Sequence, residues 1–300
     1  MIRKLGQTIV FFSLLSLTTL TVSCRQHRIP KSITFKGSLK SNGGLLEEKK
    51  NSKRETSQKS LYLSDSLSCN FIPAPLSGSS EQVIRRRSYI LSYNRKTKLP
   101  NWVAWHLTSE HTEGPYKRIK KYFEDINVPT PRATDEDYQG SNWTCGHMCP
   151  AGDNKWDSIA MRESNLLTNI CPQHASLNSG LWNKIEQDCR IWAKQYGDLY
   201  IVCGPVLYNK EHETIGDNKV VVPEAFFKVI LCLQGSPKAI GFIIKNNEGK
   251  KKMDQYVNTL DEVERITGID FFPALPNEIE NKVEAKADFK EWRNLLNNKE

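Results

Sequence analysis

Between residues 83 and 292 the chain alternates apolar runs with polar punctuation, and the period of each run indicates the element it predicts. "SYILSYN" (88–94) and "NWVAWHL" (101–107) are aromatic and partly alternating, with the polar "RKTKLP" between them, so they predict two paired strands. "DLYIVCGPVLY" (198–208), "AFFKVILCL" (225–233) and "AIGFIIKN" (239–246) are rich in Val, Ile and Phe and bounded by Gly, Pro and Asn, which predicts further strands. One run has a different period. In "LNSGLWNKIEQDCRIWAKQYG" (177–197), Trp182, Ile185, Cys189, Trp192 and Tyr196 recur at alternating spacings of three and four. This predicts a helix capped by Asn178 and stopped at Gly197. Shorter helices are predicted over "DSIAMRESNLL" (157–167) and "LDEVERITG" (260–268). Strands, a helix and strands again, with no internal repeat, predict one α+β domain at 81–300 built on a central antiparallel sheet.

Upstream this patterning stops. Residues 1–24 run from Arg3 and Lys4 through the apolar "TIVFFSLLSLTTL" to the small-residue "TVSC", the order of an export signal, and the run is short for a membrane span. Cys24 resembles the lipid-accepting cysteine of bacterial lipoproteins, although Thr21 stands where a leucine is usual. The expectation is a periplasmic or cell-envelope lipoprotein held to a membrane through acylated Cys24, or otherwise a secreted protein. Residues 25–80, rich in Ser, Lys, Asn and Gly, lack the apolar surface needed to offset ordering entropy and read as a disordered tether.

The tether changes the meaning of the charge. The whole chain is +8, but residues 1–24 carry two positive charges and no negative ones, and residues 25–80 carry ten positive and four negative, so residues 81–300 are neutral overall. A polyanion would be gripped only by local clusters such as "RRR" (85–87) or "KRIKK" (117–121). Eight cysteines in an exported chain admit disulfides. Cys145, Cys149, Cys171 and His174 superficially resemble a zinc set, but the spacing is not that of a standard finger. A disulfide among Cys145, Cys149, Cys171 and Cys189 is the better expectation, with its connectivity open.

"GHMCPAGDNKW" (146–156), "SNLLTNICPQHASLNSGLWNKIE" (164–186) and "YIVCGPV" (200–206) in this order resemble the DNA/RNA non-specific endonucleases, the ββα-metal (His-Me finger) nucleases that include the endonuclease G group. "NWVAWHL", "VPEAFFKVIL" (222–231) and "VERITGIDFFPALP" (263–276) fit the same family, so the resemblance covers roughly residues 83–285. It implies a ββα-metal domain that hydrolyses phosphodiester bonds in DNA and RNA through backbone contacts, with little sequence preference. His147 would be the general base that activates water, a task suited to a neutral imidazole. Asn178 would be the protein ligand to Mg²⁺, with Mn²⁺ or Ca²⁺ as alternatives, and water and phosphate would complete the shell. Glu186, eight residues on and about 12 Å along a helix, would act through metal-bound water. Arg190 and Arg118 would contact the phosphate, and Asn169 would lie near the site as a further catalytic residue. A homodimer is compatible with the sequence. The chain departs from the family at one informative place: members read Asp-Arg-Gly-His where it reads Thr144-Cys145-Gly146-His147, so one phosphate-contacting arginine is missing. A nuclease-fold binding module without turnover is therefore the alternative.

Overall fold

Residues 71–247 and 249–293 are described by a computed structural model; the segment expected as an export signal, Cys24 and most of the expected tether lie outside the described residues. The strands, numbered in chain order, are β1 (Gln82–Arg85), β2 (Tyr89–Asn94), β3 (Leu99–Leu107), β4 (Thr144–His147), β5 (Ile170–Gln173), β6 (Leu199–Val206), β7 (Thr214–Ile215), β8 (Val220–Val221), β9 (Ala225–Cys232), β10 (Lys238–Lys245) and β11 (Val257–Asn258). Seven of them form one antiparallel sheet in the order β1-β2-β3-β6-β9-β10-β11. The five longest are those read from the apolar runs, because each is long enough to show its period. The result is an α+β fold, as expected.

Strand alternation assigns each side of this sheet its own core. On β9, Phe226, Ile230 and Cys232 face one apolar cluster, while Phe227, Val229 and Leu231 face the other. The second cluster is closed by helices near the C-terminus, α3 (Leu260–Thr267) and α4 (Asn277–Glu284), through Leu260, Val263 and Val283. Gly268 ends α3 in the left-handed conformation at φ 69°, which confirms the predicted stop. Phe71, Ile72 and Leu76 also pack on this side, and Phe71 lies 4.2 Å from the Tyr200 ring. These residues were read as tether; their apolar side chains instead find a surface on the sheet.

The first cluster carries the site. It is covered by the two-stranded ribbon β4–β5 and by α2 (Asn183–Tyr196), which buries Ile185, Cys189 and Trp192 against the sheet, while α1 (Ser158–Ser164) is tied to β2 through the Tyr89 hydroxyl, which donates to the Glu163 carbonyl at 2.8 Å. Trp192 meets Trp292 of the short helix α5 (Phe289–Arg293) at 4.9 Å between ring centroids. The predicted helix start needs correction. Helical backbone begins at Ala175, with His174 as the cap accepting from the Ser176 N–H, and a wide π turn over Asn178–Trp182 precedes α2. Asn178 is thus inside the helical path rather than at its cap, and its side chain is released for other contacts.

The cysteine expectations also need correction. Cys145, Cys149, Cys171, Cys189, Cys203 and Cys232 are all free thiols, and all but Cys145 are fully buried. In the ribbon, Cys145 faces Pro172 and Cys171 faces Gly146, so no two cysteines are directly opposed. Burial pushes the Cys145 thiol up to about 12, and these residues behave as small hydrophobes. Among the described residues, no Cys/His group converges with ligand spacing for zinc.

Candidate active site

Strands β4 and β5 and the helical segment after them place Thr144, His147, Asn178, Glu186 and Arg190 around one cleft of about 520 Å³, and Arg118 and Lys155 line its other walls. The ribbon brings His147 opposite Ile170 at its end. Gly146 is required there, because a Cβ would stand 2.6 Å from the Cβ of Gln173. Pro172 is tolerated because the ribbon has only two strands and leaves that side without a ladder.

His147 is only 5% exposed, and its environment determines which nitrogen can act as a base. Asn165 donates from Nδ2 to the carbonyls of Ile119 (2.8 Å) and Lys121 (3.1 Å), so its Oδ1 faces His147 Nε2 at 2.8 Å. A flipped amide would set Oδ1 against two carbonyl oxygens. His147 Nε2 must therefore carry the proton and donate, which leaves the lone pair of the neutral ring on Nδ1. Burial, with a smaller contribution from Arg118, holds the imidazole down at about 4, so the ring is neutral across the physiological range and its Nδ1 lone pair is unprotonated.

The same reasoning identifies a free oxygen on Asn178. The Thr144 hydroxyl donates to the Gln173 carbonyl at 2.7 Å, and it accepts from Asn178 Nδ2 at 3.0 Å. Asn178 Oδ1 is then the atom left for the cleft. Together with the partly buried Glu186 carboxylate, it offers hard oxygen donors that fit Mg²⁺, Mn²⁺ or Ca²⁺ better than a thiophilic ion. Thr144 replaces the family's aspartate, and the geometry gives it a task in orienting Asn178. Thr144→Val, which keeps the shape but removes the acceptor, is expected to raise the Mg²⁺ concentration for half-maximal activity about tenfold, measured by metal titration.

Burial pushes Glu186 up to about 7, against the pull of Lys228. Protons and metal then compete: the Mg²⁺ requirement is expected to rise as pH falls below about 7, and Glu186→Gln is expected to flatten that dependence in metal titrations at several pH values.

Arg190 lies one turn beyond Glu186, with Nη1 2.9 Å from Asp153 Oδ1. Arg118 is exposed at the cleft edge, on a segment whose carbonyls are held by Asn165. Asn169 is not brought to the cleft. It is fully buried and accepts from the Cys149 N–H at 2.9 Å while donating to the carbonyls of Cys149 (2.8 Å) and Ser164 (2.7 Å), so it holds the His147 loop from behind. Cys145 does not line the cleft either; its side chain packs on the core. Sequence reading missed three residues. Asn165 and Asp153 carry no local signal, since their partners lie far along the chain. Lys228 does carry one, as the single charge in an apolar strand: strand alternation puts its ammonium under α2, 4.2 Å from the Trp182 ring centroid and 5.3 Å from that of Trp105.

Comparison with known proteins agrees with this geometry. The profile of the DNA/RNA non-specific endonucleases matches residues 70–278. The chain is 38% identical over 221 residues to mitochondrial nuclease EXOG of Xenopus laevis, covering 67% of this chain and 60% of that protein. It is 30% identical to human mitochondrial endonuclease G, covering 64% of this chain and 70% of that one. A crystal structure of endonuclease G with its inhibitor EndoGI superposes with a TM-score of 0.62 at 27% identity, covering 66% of this chain and 88% of that one. The match to EXOG thus spans less than two thirds of that relative's length. Both relatives are named as mitochondrial, which overturns the expected periplasmic, cell-envelope or secreted lipoprotein and its anchor through Cys24. The physical reason is that a basic, apolar and Ser-rich N-terminus poor in acidic residues is common to more than one kind of targeting segment. Because the family profile spans most of the folded part, the chain belongs to the DNA/RNA non-specific endonuclease family, whose members depend on a metal.

Proposed function

We propose that the chain is a Mg²⁺-dependent, sequence-non-specific endonuclease that hydrolyses phosphodiester bonds in DNA and RNA. The observation that carries this reading is that two hydrogen-bond networks leave one atom each for the cleft, His147 Nδ1 and Asn178 Oδ1. His147 Nδ1 takes a proton from the water that attacks phosphorus. Arg190 and Arg118 donate to the phosphoryl oxygens, where charge develops as the new P–O bond forms and the old one breaks. Asn178 Oδ1, with the Glu186 carboxylate in the same cleft, would hold Mg²⁺, which would supply further charge stabilisation at the phosphate when bound. These contacts are all to the phosphodiester backbone, which carries no sequence information.

The test is to digest linear DNA and single-stranded RNA with the full chain under Mg²⁺, Mn²⁺, Ca²⁺ or chelator. Cleavage of both polymers at many sites, lost with chelator, is expected; fixed-sequence or metal-indifferent cutting contradicts the reading. A second reading, a nuclease fold that binds without turnover, draws on the core-facing Cys145 in place of a phosphate-contacting arginine. It requires metal-independent nucleic-acid binding by a folded protein that never cuts.

A further inference from the structure

We propose that Asp153 is a positioning residue for Arg190, the wedge of a slot that fixes one guanidinium in the cleft. This rests on the nuclease reading for its purpose, though not for its geometry.

An arginine on the surface of a helix ordinarily samples many rotamers, and each must be frozen out before it can hold a phosphate. Three elements prevent that here. Asp153, on the turn after β4, is only 3% exposed and receives Arg190 Nη1 at 2.9 Å on Oδ1. Its other oxygen, Oδ2, accepts from Trp105 Nε1 on β3 at 3.1 Å, so the carboxylate cannot rotate away. The backbone of Gly152 forms the floor, where an added Cβ would lie 2.8 Å from Nη1 and 3.0 Å from Cζ of Arg190. A side chain at residue 152 would therefore displace the guanidinium from this position. Among the described residues no protein group accepts from Arg190 Nη2, while Arg190 itself lines the cleft, so that edge of the fork remains for a phosphoryl oxygen.

Stability does not account for the arrangement. A carboxylate this buried loses its hydration, and a buried ion pair gains little over an apolar replacement. Burial pushes the Asp153 carboxyl up, and Arg190, Lys228 and Trp105 offset this only in part. Holding an arginine in one place is what the pair achieves. The need is evident at residue 145, where Cys145 turns into the core and leaves Arg118, which is exposed, and Arg190 as the cleft arginines.

The test compares Asp153→Asn, Gly152→Ala, Arg190→Ala and Asp153→Asn/Arg190→Ala in the full chain, by kcat and KM on DNA, by thermal melting, and by NMR of the arginine side chains. Asp153→Asn and Gly152→Ala are expected each to lower kcat about 10- to 100-fold. The double variant is expected to be no slower than Arg190→Ala alone, and slow rotation of the Arg190 guanidinium is expected to disappear in Asp153→Asn. If the losses of Asp153→Asn and Arg190→Ala multiply, or Asp153→Asn lowers only the melting temperature, the proposal is overturned. Free rotation of Arg190 in the unmodified chain overturns it as well. A chain that never cuts but shows the slow rotation and its loss in Asp153→Asn refutes the nuclease reading while upholding the slot.

Discussion

Replacing His147 by alanine is expected to lower phosphodiester cleavage by about 10²- to 10⁴-fold, the usual contribution of a positioned general base. Of the other polar side chains lining the cleft, Arg118, Lys155 and Arg190 are cationic, Asn178 and Thr144 are not basic, and Glu186 is proposed for the metal. The substitution also strands Asn165 Oδ1, which His147 Nε2 now satisfies at 2.8 Å, at a cost of about 1–3 kcal/mol in stability. Activity and thermal unfolding must therefore be measured on the same preparation. A folded His147→Ala protein that retains more than a tenth of the activity would place the base elsewhere. Nucleic-acid affinity is expected to change little, because the imidazole is neutral and holds no phosphate.

Asn178→Ala should have the second largest effect. It removes the oxygen available to the cation and leaves the Thr144 hydroxyl without its 3.0 Å donor. Losing metal-based charge stabilisation of several kcal/mol corresponds to about 10²- to 10³-fold in rate at moderate Mg²⁺. Raising Mg²⁺ is expected to recover part of that loss, whereas His147→Ala is not rescued by metal. Kinetics across a Mg²⁺ series distinguish the two, and identical Mg²⁺ dependence in Asn178→Ala and the unmodified chain would remove Asn178 from the metal site.

The parts of the fold legible in the sequence are those with a period. β2, β3, β6, β9 and β10 are each at least six residues long and show their apolar faces, and α2 shows its three-and-four spacing from Trp182 to Tyr196. The ribbon that holds the site is the opposite case. β4 and β5 have four residues each, containing Gly, Cys and Pro, and exist because the ribbon packs on the sheet. Within the site, His147, Asn178, Glu186, Arg118 and Arg190 were found through family motifs, and the structure brings them to one cleft. Asn169 came from the same motifs, yet all its polar atoms serve backbone groups, a distinction no local pattern encodes. Asn165 lies 18 residues from His147 and Asp153 lies 37 from Arg190, so those pairs emerge only on folding. Asn178 shows how a residue type can mislead. Asparagine favours caps, but here the helical path starts three residues earlier and frees the amide for Thr144.

The most direct test of a metal-dependent nuclease with His147 as its base is nicking of supercoiled plasmid by the full chain, with Mg²⁺ or with chelator, beside His147→Ala. Nicking that requires both the metal and His147 is predicted. A folded chain that leaves the plasmid intact with Mg²⁺, Mn²⁺ and Ca²⁺ alike, or that cuts equally well without His147, contradicts it.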